Sequence, residues 1–223
     1  MALPLEGIKI LDLSTMLPGP FCSMILADFG AEVIKVEAVK GGDLFRGGVP
    51  KIGDTGGAFF QVNRNKKSIT LNLKSEEGKE IFYKLAKDAD VVLEQYRPGV
   101  VKKLGVDYET IKAINPKIVY CSLSGYGQTG PDKNKAAYDV SGQAMGGYMY
   151  MNGTSPTSPP LKVNPYLSDY ATAYNACICA LSIMTNARIT GEGDACDVSQ
   201  YETMFRLLGS YPAEWFNKGY PGP

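Results

Sequence analysis

With 223 residues, 44% of them hydrophobic and 21% charged, the chain is long enough for one substantial core and too apolar to be disordered. Its 23 basic and 23 acidic residues cancel, so no basic field argues for nucleic acid or an anionic membrane surface, and an anionic ligand must be held by local groups. Histidine is absent, which excludes histidine triads and histidine metal sites and removes the usual proton shuttle near neutral pH. In chain order, Ile8 to Leu13 reads as a short strand ending in a turn at Leu17-Pro18-Gly19, and Pro20 opens a helix to Phe29. Glu32 to Val36 is a second strand, followed by a long loop marked by Gly41, Gly42, Gly47, Gly48, Gly53, Gly56 and Gly57. Ser68 to Leu73 reads as a strand, and Ser75, with Glu76 and Glu77 in the first turn, caps a helix to about Lys87. Val91 to Leu93 is the next strand, Pro98 begins a short helix to Leu104, Asp107 caps another to Ile114, and Ile118 to Leu123 is a buried strand. A Gly-rich loop at 125–130, an apolar helix around Val140 to Tyr150, a Pro/Ser linker at 153–160, a long helix after Asp169 and a segment from Cys196 to Leu208 follow.

This alternation predicts an α/β fold of Rossmann-like type: a mainly parallel sheet covered by helices on both faces, with ligands bound at the carboxyl ends of the strands. Five cysteines, at 22, 121, 177, 179 and 196, are an odd and scattered set, unlike a disulfide framework, and fit small buried side chains in a reducing cytosol. Cys177 and Cys179 lie about 200° apart on a helix and cannot share a metal there. The N-terminus lacks a basic segment before an apolar run, so no signal peptide is expected. The uncharged stretch 170–187 is interrupted by Thr172, Asn175, Ser182, Thr185 and Asn186, so it is expected as a core helix and not a membrane span. Gly219-Tyr220-Pro221-Gly222-Pro223 is turn and linker chemistry, which reads as a truncated end.

Several motifs carry competing readings. Gly125-Tyr126-Gly127-Gln128-Thr129-Gly130 matches a dinucleotide fingerprint, but Pro131-Asp132-Lys133-Asn134-Lys135 opens no apolar helix and no acidic residue lies between 140 and 168 to hold a ribose. Arg64-Asn65-Lys66-Lys67-Ser68 is either a solvated loop or an anion site. Gln95-Tyr96-Arg97-Pro98-Gly99, at a strand's carboxyl end, is placed to receive a nucleotide or phosphate. Asp139 precedes an apolar helix, as a cap would. Asp169 is a lone carboxylate ahead of the uncharged run from Ala171 to Ala187, and is either a helix cap or a nucleophile able to attack a thioester.

Leu11-Asp12-Leu13-Ser14 with Pro18-Gly19-Pro20, Gly30-Ala31-Glu32-Val33-Ile34-Lys35-Val36-Glu37, Asn65-Lys66-Lys67-Ser68-Ile69, Ser122 with Gly125 to Pro131, Ala137-Tyr138-Asp139 and Thr190-Gly191-Glu192-Gly193 occur in this order along the chain. In these segments the sequence resembles the family III CoA-transferases over essentially its whole length. Gly142-Gln143-Ala144, Gly147-Tyr148, Asn152-Gly153 and Asn164-Pro165-Tyr166-Leu167-Ser168-Asp169 look most like the branch with carnitine and bile-acid CoA-transferases. The resemblance implies that Asp169 is the nucleophile and that Met16, Pro18, Leu71, Gln95, Tyr96, Val100, Lys103 and Tyr138 surround coenzyme A. It implies acyl-CoA and carboxylic acid substrates, no permanently bound cofactor, no metal, a cytoplasmic homodimer interlocked like chain links, and a large domain over 1–210. Residues 211–223 would then begin a linker to a small second domain. Two departures stand out: Ala38 replaces a basic residue often set against the coenzyme, leaving Lys35 or Lys40 to serve, and Leu17 replaces a glutamine often near the thioester.

The expected chemistry is CoA transfer from an acyl-CoA to an acceptor carboxylate through an aspartyl intermediate. A carboxylate with a pKa of about 4 displaces a thiolate of about 8.5 only uphill, so the site must stabilise the developing charge, while the nucleophile itself is expected to be ionised at neutral pH. The alternatives are a truncated, non-catalytic CoA-binding or assembly fragment, and an acyl-CoA racemase, in which a histidine would stand at Tyr138.

Overall fold

The computed structural model describes residues 2–155 and 157–218. Strand β1 (Lys9–Asp12), helix α1 (Pro18–Asp28) and strand β2 (Glu32–Glu37) form the first right-handed unit. The glycine-marked loop expected next is not wholly irregular. It holds a 3-10 turn (Leu44–Gly47), a small hairpin of β3 (Lys51–Ile52) and β4 (Thr55–Gly56), and helix α2 (Gly57–Asn63). Strand β5 (Lys66–Thr70) starts and stops earlier than its apolar residues indicated, because the pairing of Val33 with Lys66 and Glu37 with Thr70 sets its register. Helix α3 (Glu76–Lys87) begins as its cap predicts, with Ser75 Oγ accepting the Gly78 N–H at 3.1 Å.

Strand β6 (Val91–Glu94) leads into helix α4 (Val100–Leu104), which starts two residues after Pro98 because Gly99 takes a left-handed conformation, φ +82°. Helix α5 (Tyr108–Ile114) is capped by Asp107 and precedes strand β7 (Val119–Ser124). The single apolar helix expected over Val140–Tyr150 is two, α6 (Asp139–Met145) and α7 (Tyr148–Met151), broken where Gly147 adopts φ +81°. Helix α8 (Leu167–Thr190) runs 24 residues into strand β8 (Ala195–Ser199) and helix α9 (Gln200–Arg206). Tyr211–Lys218, read as linker, folds as helix α10; the linker-like Gly219 to Pro223 lie outside the described residues.

The six longer strands form one all-parallel sheet in the order β5-β2-β1-β6-β7-β8, with the strand order reversing between β1 and β6. Alternate residues feed two cores. Ile10, Val33, Leu93, Cys121 and Val198 pack under α1 and α8, whereas Leu11, Val36, Val92 and Tyr120 pack against α3, α4 and α5. Helix α8 is not buried all round: Ala173, Ala176, Cys177 and Ala180 face the sheet, but Tyr174, Ile178 and Ile189 point outward. Cys177 meets Cys22 beneath it, and all five cysteines are free thiols. Among the described residues no helix is long and apolar enough to cross a membrane.

Candidate active site

A cleft of about 400 Å³ opens at the carboxyl ends of β1, β6 and β7, at the point where the strand order reverses. Its walls come from Thr15 to Pro18 after β1, Gln95 to Pro98 after β6, Leu123 to Gly125 at the end of β7, Lys133 to Asp139, and Asp169 and Gln200. Met16, Pro18, Gln95, Tyr96 and Tyr138 therefore share one cavity with Asp169. The other three residues implied by the family resemblance do not line it: Leu71 packs on the apolar core beside α3, Val100 opens α4, and Lys103 is exposed on that helix.

The wall after β1 is held by buried charge. Met16 has a left-handed backbone, φ +64°, and its N–H donates to Asp43 Oδ1 at 3.1 Å. Asp43 in turn pairs with Lys35 at 2.9 Å, and the Lys35 ammonium donates to the Ser14 carbonyl at 2.8 Å. A strained residue at a ligand cleft persists when its surroundings over-determine it, as they do here. Lys35 is 1% exposed and fully engaged, so it cannot reach a coenzyme as Ala38's replacement; Lys40 is exposed. The basic cluster at 64–68 is likewise absorbed by the fold. Lys66 is buried against Asp12 at 3.0 Å, Arg64 grips Asp28, and Lys67 reaches Glu32. Across the reversal, Gln95 Oε1 accepts the Gly19 N–H at 3.0 Å, and Glu94 Oε2 accepts that of Tyr96 at 2.7 Å, which fixes the opposite wall.

Asp169 is the third residue of α8, and its carboxylate does not cap that helix. The cap is supplied from outside, by Asp139 at the start of α6. Asp139 Oδ1 accepts the N–H groups of Ser168 at 2.8 Å and Asp169 at 3.4 Å, and its Oδ2 accepts Gln143 Nε2 at 2.7 Å with Lys162 at 3.8 Å. The expected capping role of Asp139 thus holds for a different helix from the one it precedes. Freed from capping, Asp169 accepts through Oδ1 from Gln200 Nε2, the first residue of α9, while Oδ2 accepts no hydrogen bond among the described residues. Burial, followed by the negative charge of Asp139, pushes the Asp169 carboxyl up to about 7, against the opposing pull of Gln200 and Lys162. This upward shift runs against the expectation of a carboxylate fully ionised at neutral pH.

Gln200 was not singled out from sequence, where it lay within the unassigned segment from Cys196 to Leu208. The Gly125–Gly130 loop turns without opening a helix, with Gly127 at φ +82° and Gly130 at φ +86°, so it does not cradle a pyrophosphate as a dinucleotide fingerprint would. No cluster of three or more histidine, cysteine, aspartate or glutamate side chains among the described residues is arranged to hold a metal.

The family model for CoA-transferase family III matches residues 5–223. The chain belongs to that family. It is 41% identical to an acyl-CoA transferase of Fusarium pseudograminearum over 96% of this chain and 49% of that protein. It is 39% identical to the bile acid CoA-transferase BaiK of Clostridium scindens, over 98% of this chain and 48% of that one. The crystal structure of a CAIB/BAIF family protein from Brucella suis superposes with a TM-score of 0.92 at 35% identity, covering 100% of this chain and 60% of the other. The chain thus spans about half the length of the curated relatives it matches.

Proposed function

We propose that the protein, together with any sequence that follows Pro223 in its gene, transfers coenzyme A from an acyl-CoA to an acceptor carboxylate with Asp169 as covalent nucleophile. The observation that carries this reading is a half-buried carboxylate lining the cleft, held by Gln200 through one oxygen and left open at the other. Raising its pKa to about 7 makes it a better nucleophile, because it then lies within about 2 units of a thiol leaving group in place of nearly 5. No proton shuttle is needed at any step, which accords with a chain that has no histidine. Met16, Pro18, Gln95, Tyr96 and Tyr138 are proposed to hold the acyl-pantetheine arm in the cleft, with Leu71, Val100 and Lys103 meeting more distal parts of the coenzyme. The domain boundary near 210, the second small domain, the interlocked homodimer and a cytoplasmic setting belong to the same proposal and rest on family resemblance.

The test is CoA exchange between an acyl-CoA and a free acid, with mass spectrometry of the protein after hydroxylamine trapping. Asp169→Ala should abolish exchange, and the trapped adduct should map to Asp169; full activity in the alanine variant would sink the assignment. The racemase reading would need a proton-abstracting base at Tyr138, where the chain has a phenol in place of a histidine. Solvent deuterium entering the α-carbon of bound acyl-CoA as fast as CoA exchanges would favour that reading instead.

A further inference from the structure

We infer that Gln200 is a catalytic residue, the hydrogen-bond donor that stabilises the oxyanion formed when coenzyme A moves onto the aspartyl carbon. This deepens, and rests on, the aspartyl-transfer reading. Gln200 is 5% exposed, sits at the first position of α9 directly after β8, and aims its carboxamide N–H at Asp169 Oδ1 within the cleft. Its place is fixed by packing: a Cβ on Gly142 of α6 would collide with both Ser168 and Gln200, so α6, the start of α8 and the start of α9 converge on this one point.

The two oxygens of Asp169 have different fates in the reaction. Oδ2, the oxygen without a donor, attacks the thioester carbon; the acyl C–S bond breaks, CoA leaves as its thiolate, and a mixed anhydride bridges through Oδ2. The thiolate then attacks Cγ of Asp169. The S–Cγ bond forms, the Cγ–Oδ2 bond breaks, and the original acid departs as a carboxylate carrying Oδ2, leaving an aspartyl-CoA thioester. In the tetrahedral state between, the negative charge falls on Oδ1, which already receives the Gln200 N–H. When the acceptor carboxylate attacks the same Cγ, the charge returns to that oxygen. A donor already placed against a developing oxyanion strengthens in the transition state and needs no reorganisation. In the resting state the same contact opposes the rise in the Asp169 pKa, so it weakens the nucleophile slightly while serving the two later steps.

The test uses Gln200→Leu, which keeps the volume and removes the donor, and Gln200→Glu, which keeps the shape and donates only when protonated. In Gln200→Leu, kcat for CoA exchange should fall by about 100-fold with KM for acyl-CoA changed less than about threefold, the loss typical of a single oxyanion donor. In a first turnover with acyl-CoA and no acceptor acid, mass spectrometry of rapidly quenched protein should find the acyl adduct on Asp169 enriched over the CoA adduct relative to the parent, because formation of the aspartyl-CoA thioester is then the only donor-assisted step. Gln200→Glu should show a bell-shaped pH profile, falling on the alkaline side where the parent stays level, since Asp169 must be ionised while the new side chain must keep its proton to donate. The inference is overturned by a Gln200→Leu protein with near-parental kcat, by an unchanged ratio of the two adducts, or by a Gln200→Glu pH profile that follows the parent. If Gln200→Leu does not fold, the isosteric glutamate variant decides alone. These failures leave Asp169 standing; activity in Asp169→Ala would remove both.

Discussion

A single carboxylate concentrates the conflict between stability and chemistry. Asp169 is half-buried beside a second acid, an arrangement that raises its pKa to about 7 and disfavours the ionised form that the proposed transfer needs. Because the folded-state value exceeds the unfolded value of 3.8, the folded state loses stability as pH rises between these two values, and the full cost is present above about pH 7. Replacement by a neutral isostere should reveal it. Asp169→Asn is expected to melt higher than the parent at pH 8, by an energy on the order of 4 kcal/mol at most, and to lose that advantage near pH 4. The parent's acylation rate should rise with pH and level off above about 7. Asp139→Asn keeps an oxygen for the Ser168 N–H but drops the like charge, so its acid limb should move to lower pH; an unmoved limb in stopped-flow release of CoA would show that Asp139 does not set it. Asp169 and its surroundings were only partly legible in the sequence. A carboxylate ahead of an uncharged helix was visible, but burial, the distant cap from Asp139 and the donor from Gln200 depend on residues 30 and 31 positions away.

At the scale of elements, the alternation of strands and capped helices was readable wherever local chemistry decides. Ser75 and Asp107 accept backbone N–H groups at the helix starts they mark, and the apolar strands at 91 and 118 pair as parallel neighbours. The misreadings share a cause, which is that tertiary pairing or backbone conformation overrode the apolar pattern. Strand β5 follows the register imposed by β2, and α6 and α7 are separated by a left-handed glycine. Helix convergence at the site likewise depends on one absent side chain. A methyl group at Gly142 would meet Ser168 and Gln200, so Gly142→Ala should force α6 away from α8 and α9. We expect a stability loss of about 1–3 kcal/mol by denaturant titration, as for other overpacked cores, together with a larger fall in kcat than in the affinity for acyl-CoA. A variant that is destabilised yet retains the parental kcat would show that the three helices hold their geometry without this close approach.

For the molecule as a whole, the sheet buries both faces while the outer side of the helical layer stays apolar. Along α8, Tyr174, Ile178 and Ile189 fall on one stripe together with Ser182 and Thr185, and Ile189 is 80% exposed. Phe205 on α9 and Trp215 and Phe216 on α10 add further exposed apolar surface, with Phe216 at 81%. Large apolar side chains exposed in this number favour association, and with a formal net charge of zero the chain has no long-range repulsion to oppose it. The 223-residue chain should therefore self-associate in solution. Multi-angle light scattering is expected to give a mass above that of one chain, 24.1 kDa, rising with protein concentration. Ile178→Lys places a charge at the middle of the α8 stripe without touching the core, so it should shift the mass toward that of one chain while leaving the melting temperature nearly unchanged. A parent chain that remains a compact, monodisperse monomer at high concentration would show that the stripe tolerates water as it stands.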